Sequence, residues 1–363
     1  MRQLGFTLLE RRPLTALGLS VLRFRTPMGF DSSRGLALLT QEMPELAADV
    51  DTLYQPYRAQ AAATSGTGGV TLPPTDYAQR MIAWRAGPNC GRGFRVGMID
   101  SAIAADAALP TQNLRRRAFG AGPEPDAGHG TAVAALLIGG RDPARPSWSG
   151  LVPDADLYAA SVFEQHDGRT VASAVAIAAA IEWLVANHVP VVNVSLSGEA
   201  NLLLALAAER AAQRGTILVA AAGNSGPTGP PAYPAAYPDV IAVTAVDERG
   251  QVFAGANQGD YIDFAAPGVR VWAPGKGPFG QYLTGTSFAV PFATAILSME
   301  VATGTRPTLD AMRGRLASNS VHLGPPGKNP IYGYGLVKAE TACSAATVAQ
   351  GSTAAPTIPL TLP

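Results

Sequence analysis

The chain is short of charge, of histidine and of cysteine, and each shortage narrows what it can be. Lys and Arg total 27 and Asp and Glu total 27 among 363 residues, so the formal net charge is zero. Charged residues make up 15% of the chain, against roughly 25% in an average globular protein. With no basic block there is no electrostatic footprint for nucleic acid and nothing to draw the chain to an anionic membrane surface. No apolar run reaches the ~18 residues that a membrane-spanning helix requires. The longest candidate, Val171 to Val192, is interrupted by Glu182, Asn187, His188 and Pro190. Low charge combined with 47% apolar residues marks a packed chain rather than a disordered one. Two Cys, Cys90 and Cys343, cannot staple a disulfide-framework fold; they leave either one bridge or two unpaired thiols. Four His leave a His-dependent enzyme only four candidates for its base.

What is present is length enough for a large core and a regular alternation of element types. The opening MRQLGFTLLERRPL has neither the apolar stretch nor the small-residue cleavage site of a secretory signal peptide. Residues 1–58 read as a small unit: a strand over Leu17–Thr26, a helix over Ser32–Met43 capped by Asp31 or Ser32 and stopped by Pro44, and a strand over Ala47–Tyr57. With so few core residues this unit is marginal alone. Residues 59–76, AQAAATSGTGGVTLPPTD, carry no periodicity and read as an exposed linker and processing region.

Residues 77–346 form the main domain. Apolar strands are expected over Phe94–Ser101, Asp156–Phe163, Val189–Leu196, Thr216–Ala222 and Val240–Val246. Helices are expected over His129–Ile138, Val171–Asn187 with Thr170 as cap, Asn201–Arg214 ending at Gly215, and Ser287–Ala302. Strands apolar throughout are buried on both faces, and their alternation with helices predicts an α/β fold with a mostly parallel sheet and helices on both faces. Residues 347–363 are small, polar and Pro-rich and read as a disordered tail.

Three segments sit where chemistry would want them. Asp100 ends the first core strand, and in open parallel sheets sites form at the carboxyl ends of strands. His129, in GHGT, and Ser287, in GTSFAVP, each open a helix, where free backbone N–H groups can hold an oxyanion. A fourth segment, AAAGNSG, ends a strand at Asn224. The chain order Asp, His, Ser is one of three in which the same triad geometry occurs. Together with NVSLSG at 193–198 and APGVRVWAP before Ser287, these segments resemble the subtilisin-like serine peptidases, the subtilases, over about Tyr77 to Ala345.

The resemblance implies a three-layer subtilisin-like fold and a serine endopeptidase working through an acyl-enzyme. Ser287 would be the nucleophile, His129 the general base and Asp100 the group that orients it. Asn224 and the Ser287 N–H would hold the oxyanion, and Ser195, Leu196, Ser197, Ala222 and Gly223 would line the substrate. Protein or peptide substrates are implied, no cofactor is, and the family points to a secreted or cell-envelope location. The N-terminal unit resembles the second half of a subtilase propeptide, which makes it an expected intramolecular inhibitor. Ala102, Ala135 and Ala295 stand where the family has Gly, and Phe288 where it has Met. Ala232 stands near a usual Gly at the pocket base. Gly139–Gly150 lacks the Asn pair of the best-known calcium loop, so no metal site is expected there, and Asp142 is read as a solvated charge.

Other readings compete. Asp106 and Asp126 are rival orienters, but neither ends a strand. His166 could meet a metal with Glu164 and Asp167 but reads as a loop residue; His188 ends a helix, and His322 has no motif. An α/β-hydrolase built on Ser287, Asp310 and His322 lacks the G-x-S-x-G elbow. A catalytically silent peptidase-like binding module, held by its N-terminal segment, is the alternative to the enzyme.

Overall fold

The computed structural model describes residues 1–56, 60–61, 72–87, 89–105, 109–124, 126–140, 148–274, 280–302 and 308–343. Most of the expected linker (59 and 62–71), the tail 347–363, Asp106 and Asp142 lie outside these residues.

The N-terminal unit starts with an antiparallel hairpin, β1 (Thr7–Leu14) and β2 (Leu19–Arg25), closed by Gly18 at a positive φ of 69°. The first of these strands was not expected. Its LLERRPL pattern is half exposed, so it carries no apolar run. Helix α1 (Ser32–Glu42) starts where expected, with the Asp31 carboxylate accepting Arg34 N at 2.8 Å. Of the strand expected over Ala47–Tyr57, only β3 (Leu53–Pro56) forms, followed by the two-residue β4 (Gln60–Ala61).

The main domain runs α2 (Tyr77–Met81), β5 (Arg95–Asp100), β6 (Leu114–Ala118), α3 (Gly128–Ile138), β7 (Asp156–Ser161), β8 (Glu164–His166), β9 (Arg169–Ser173), α4 (Ala174–Ala186), β10 (Val191–Val194), β11 (Leu196–Ser197), α5 (Leu202–Gln213), β12 (Ile217–Ala221), β13 (Val240–Val246), β14 (Phe264–Pro267), β15 (Val271–Ala273), β16 (Gln281–Thr284), α6 (Val290–Val301) and α7 (Leu309–Asn319). Seven strands form one sheet in the order β14-β13-β12-β10-β5-β7-β6, and every pairing in it is parallel. The sheet divides two cores. Val96, Met98, Val191 and Val219 face the apolar residues of α3 and α6, whereas Ile99, Val192, Leu218 and Ala220 face those of α4 and α5. The expected three-layer α/β architecture is therefore the one observed. Strand order turns about β5, which has β7 on one side and β10 on the other. That is the switch point at which open sheets leave a crevice beyond the strand ends, and Asp100 is the last residue of β5.

Two expectations need correction. The helix expected from Val171 begins at Ala174, capped by Ser173, which accepts Ala176 N at 3.1 Å. Residues 164–173 instead form the hairpin β8–β9, turned by Asp167 and Gly168 at φ 48° and 73°. Two successive positive φ values suit a tight hairpin turn and favour the Asp-Gly pair. The expected helix from Ser287 is split: Thr286–Phe288 is a 3-10 turn, and α6 starts at Val290 with Pro291 in its first turn.

Of the two states left open for the cysteines, the bridge is the one present. Cys90 and Cys343 are joined across a sequence separation of 253, with Cα atoms 5.0 Å apart and both residues buried. Gly87 N donates to Cys343 O at 2.8 Å and Ala339 N to Ile82 O at 2.9 Å, so the two ends of the domain are laced together.

Candidate active site

The carboxyl end of β5 meets the first turn of α3. Asp100 is fully buried, and its Oδ1 lies 2.7 Å from His129 Nδ1 and accepts Ser101 N at 2.6 Å. The GHGT sequence explains the fit. A Cβ on Gly130 would collide with the carbonyl oxygens of Ser101 and Ala102, so only glycine lets the helix start press against the strand end. Gly130 N then donates to Ser101 Oγ at 2.9 Å, and Thr131 Oγ1 accepts Ala104 N at 2.8 Å, fixing helix to turn. The His129 side chain retains 10% exposure, with its ring tilted against Phe288 at 5.3 Å. Phe288 follows Ser287 in the 3-10 turn, so this contact brings nucleophile and base candidates side by side. His129 Nε2 and Ser287 Oγ make no hydrogen bond to any described residue. Such bonds often tighten only when substrate is bound.

Asn224 reaches the same turn. Its Oδ1 accepts Thr286 N at 3.0 Å and Thr286 Oγ1 at 2.8 Å. With the oxygen held on Thr286, the amide nitrogen points the other way, on the side of Gly285, where a Cβ would stand 3.3 Å from Nδ2. Thr286 Oγ1 also accepts Gly223 N at 3.3 Å. Ala222 and Gly223 continue β12, and Gly223 has φ 116° with Asn257 pressed where a side chain would be. Sequence reading missed two residues that clamp this wall. Tyr261 donates its hydroxyl to Ala222 O at 2.6 Å, with burial pushing the phenol upward and keeping it a donor. Asn257 accepts Ser225 N and donates to Pro230 O, both at 2.7 Å. No motif marks either. Ala232 is buried just before a cis Tyr233–Pro234 bond, and Tyr233 exchanges both backbone bonds with Gly198.

Ser195 leads directly into β11, where Leu196 and Ser197 pair with a strand of the N-terminal unit. In a four-stranded sheet of order β11-β3-β9-β8, β3 of the N-terminal unit lies between β11 and β9. Leu196 pairs with Pro56 and Ser197 with Gln55; on the other side Leu53 pairs with Ser173 and Tyr54 with Ala172, all antiparallel. Ala172 and Ser173, which the sequence pattern places in a helix, are thus strand residues opposite β11 across β3. Tyr54 is fully buried; it lies on Gly198, where a Cβ would stand 2.5 Å from its ring, and donates its hydroxyl to Glu199 O at 2.7 Å. Beyond the active-site turn, β4 pairs with β16: Ala61 with Leu283 and Gln60 with Thr284.

Carboxylates anchor the rest of the unit. Asp49 accepts Leu202 N at 2.7 Å and Asp51 accepts Val175 N at 3.3 Å, each at the first turn of a helix, α5 and α4. Glu182 of α4 returns the contact by accepting Ala16 N and Leu17 N at 2.8 and 2.9 Å.

The remaining candidates fall away from this centre. His166 is exposed and 3.6 Å from Asp167, while Glu164 is engaged with the N–H groups of Ala121 and Gly122. His188 ends α4 with φ 54°, and His322 is exposed. Asp126 is exposed, and Asp100 holds the His129 ring nitrogen that it would have to reach. Among the described residues no group of three His, Cys, Asp or Glu could hold a metal ion. Ala135 and Ala295 are buried without disturbing their helices.

A parallel α/β sheet with an Asp–His pair at its switch point, and a serine in the turn before α6 with an asparagine amide bonded to that turn, fits the class of serine hydrolases. The comparisons give the family. A model of the Subtilase family matches residues 91–335, well over half of the chain, which therefore belongs to that family. The minor extracellular protease Epr of Bacillus subtilis (strain 168) is 31% identical over 272 residues, covering 74% of this chain and 41% of Epr. A thermostable alkaline protease of Halalkalibacterium halodurans is 35% identical over 254 residues, covering 69% of this chain and 67% of that protein. Subtilisin E of Bacillus subtilis (strain 168) is 32% identical over 263 residues, covering 69% and 66%. The chain thus spans less than half of Epr and about two thirds of the other two relatives.

Proposed function

We propose that this chain is a serine endopeptidase in which Ser287 attacks the scissile carbonyl. His129 takes the Ser287 proton through Nε2 and delivers it to the leaving amine. Asp100, bonded to Nδ1, holds the tautomer that makes this possible and stabilises the imidazolium. The Asn224 amide and the Ser287 N–H receive the oxyanion. Removing one such donor costs on the order of 10²–10³ in rate, the magnitude found in subtilisin rather than one worked from this chain. Ser195–Ser197 on one side and Ala172–Ser173 on the other pair with the main chain of an extended substrate, which gives affinity with little demand on sequence.

The observation that carries this reading is the occupied cleft. A segment of the chain's own N-terminal unit lies as an extended strand between β11 and β9, its next paired stretch lying against β16. That is how a substrate would lie, and it supports reading the N-terminal unit as an intramolecular inhibitor. The buried disulfide supports action outside the reducing cytoplasm, in keeping with Epr's description as extracellular. No helix among the described residues is long and apolar enough to cross a membrane.

The test is hydrolysis of a denatured protein substrate together with labelling by a fluorophosphonate probe. The wild-type chain should do both and Ser287→Ala neither. Equal hydrolysis by Ser287→Ala would sink the assignment, and a wild-type chain that takes no label and cuts nothing would leave the silent binding module.

A further inference from the structure

We infer that the cleft reads one substrate side chain by its hydroxyl: it takes tyrosine in preference to phenylalanine at the position that Tyr54 fills in the present structure. The inference rests on the peptidase reading above and adds the class of substrate, peptides with a tyrosine two residues ahead of the one that faces Leu196. Strand geometry singles out this position. Side chains alternate along an extended chain, and β3 leaves Leu53 and Gln55 exposed while Tyr54 is fully buried. Main-chain pairing with β11 and β9 gives affinity with little demand on sequence. Discrimination along β3 therefore falls on the pocket that holds Tyr54.

That pocket has a bare wall and a polar end. The wall is Gly198, where a Cβ would stand 2.5 Å from the Tyr54 ring, so the ring takes the room that a side chain would need. At the end, the Tyr54 hydroxyl donates to Glu199 O at 2.7 Å. Burial pushes this phenol above its ordinary value and keeps it a donor. Phenylalanine would fit the same room and lose the bond. A site built to receive a hydroxyl discriminates against the analogue that lacks it.

The main domain holds the accepting carbonyl in place by its own bonds. Gly198 and Tyr233 exchange both backbone bonds, at 3.0 and 3.1 Å. The Tyr237 hydroxyl accepts Asn201 N and donates to Asn201 O, both at 2.8 Å. Glu199 lies between these two clamps. The clamping residues are fixed to each other, because the Tyr233 and Tyr237 rings meet at 4.6 Å and Tyr237 N donates to Pro234 O at 3.0 Å. None of these bonds involves the N-terminal unit. The carbonyl therefore keeps its aim when a substrate takes the place of β3, and a preorganised acceptor costs the incoming hydroxyl no reordering.

The test uses the full chain as expressed and a set of quenched peptides, Leu-Xaa-Gln-Pro before one common alanine-rich tail, with the cut bond located by mass spectrometry. Xaa is tyrosine, phenylalanine, O-methyltyrosine, para-aminophenylalanine or alanine. At one and the same bond, kcat/KM should be about 2- to 13-fold higher for tyrosine than for phenylalanine, the worth of one net hydrogen bond. Para-aminophenylalanine keeps a donor and should stand with tyrosine; O-methyltyrosine cannot donate and should fall to phenylalanine or below. Gly198→Ala, whose Cβ would meet the ring, should bring both aromatics down toward alanine, and Ser287→Ala should cut none of the peptides. Phenylalanine or O-methyltyrosine cut as fast as tyrosine overturns the inference and leaves the peptidase standing, as does a chain that cuts denatured protein but none of the peptides. A wild-type chain that cuts neither peptides nor denatured protein and takes no fluorophosphonate label overturns both.

Discussion

Under the proposed mechanism Thr286 decides which end of the Asn224 amide faces the reacting carbonyl, and its removal can be worked through. The threonine hydroxyl makes two contacts: it donates to Asn224 Oδ1 at 2.8 Å and accepts Gly223 N at 3.3 Å. The residue is fully buried, so water cannot replace either partner. In Thr286→Val the shape is kept and the oxygen is lost. Asn224 Oδ1 retains the Thr286 backbone N–H at 3.0 Å, so the amide is loosened rather than released. A net hydrogen bond of about 0.5–1.5 kcal/mol that fixes the donor's aim should lower kcat by roughly 2- to 13-fold with KM little changed. The orphaned Gly223 N–H should separately lower stability by about 1–3 kcal/mol. Thr286→Ser keeps the oxygen and should recover most of the rate. Asn224→Ala should cost more than Thr286→Val, on the order of 10²–10³ in kcat. The assay is steady-state hydrolysis of a peptide amide by processed enzyme, alongside urea unfolding of the Ser287→Ala form. An unchanged kcat in Thr286→Val, or a loss appearing only in KM, would refute the idea that this hydroxyl aims the amide.

Two further substitutions test the frame around the site. Replacing both Cys90 and Cys343 by Ala removes a crosslink across 253 residues. The chain-entropy treatment puts its worth at up to about 5 kcal/mol, so the urea midpoint should fall by the equivalent of ~2–5 kcal/mol while kcat is kept; a loss under about 1 kcal/mol would mean that the backbone bonds at Gly87 and Ala339 do the closing alone. Gly130→Ala should be far worse for activity than for folding. Its Cβ would meet two backbone oxygens of the Asp100 turn, and a shift near 1 Å can cost on the order of 10² in kcat/KM. Gly314→Ala in α7, where nothing lies within 4 Å, is the control and should add up to about 1 kcal/mol of stability with no change in rate.

The candidate site was legible because the chemistry proposed for it forces residue identity at short range. Asp100 ends a strand, Gly130 must lack a side chain for α3 to reach it, and Ser287 lies in the turn just before α6, so each lies in a segment that reads by itself. The buried parallel strands were legible for a related reason: two covered faces leave an unbroken apolar run, as in Val240–Val246, where observed and expected bounds coincide. The helix from Asn201 was marked at both ends, by its cap and by Gly215 at φ 77°.

What escaped was everything held by distant partners. The edge strand β6 is mostly arginine and carries no apolar pattern; among the described residues it pairs with β7 alone. Tyr261 and Asn257 act on Ala222 and Ser225 across more than thirty residues of chain, and nothing local distinguishes them from any polar residue in a loop. The misread helix at Val171 is different in kind. Asp167–Gly168 between short alternating runs is a hairpin signal, and it was outweighed by the apolar density of TVASAVAIAAA that follows. Alanine and valine there satisfy a helix pattern as well as a strand pattern; Thr170 and Val171 are held by β8, and at Ala172 and Ser173 the tie is broken by β3, which comes from residues more than a hundred positions earlier. Ala172 and Ser173 are therefore strand because another strand lies against them. Under the proposed function this ties the cleft's shape to its occupant: if the N-terminal unit left, Ala172 and Ser173 would lose the partner that pairs them, and an extended substrate main chain is the group that would restore it.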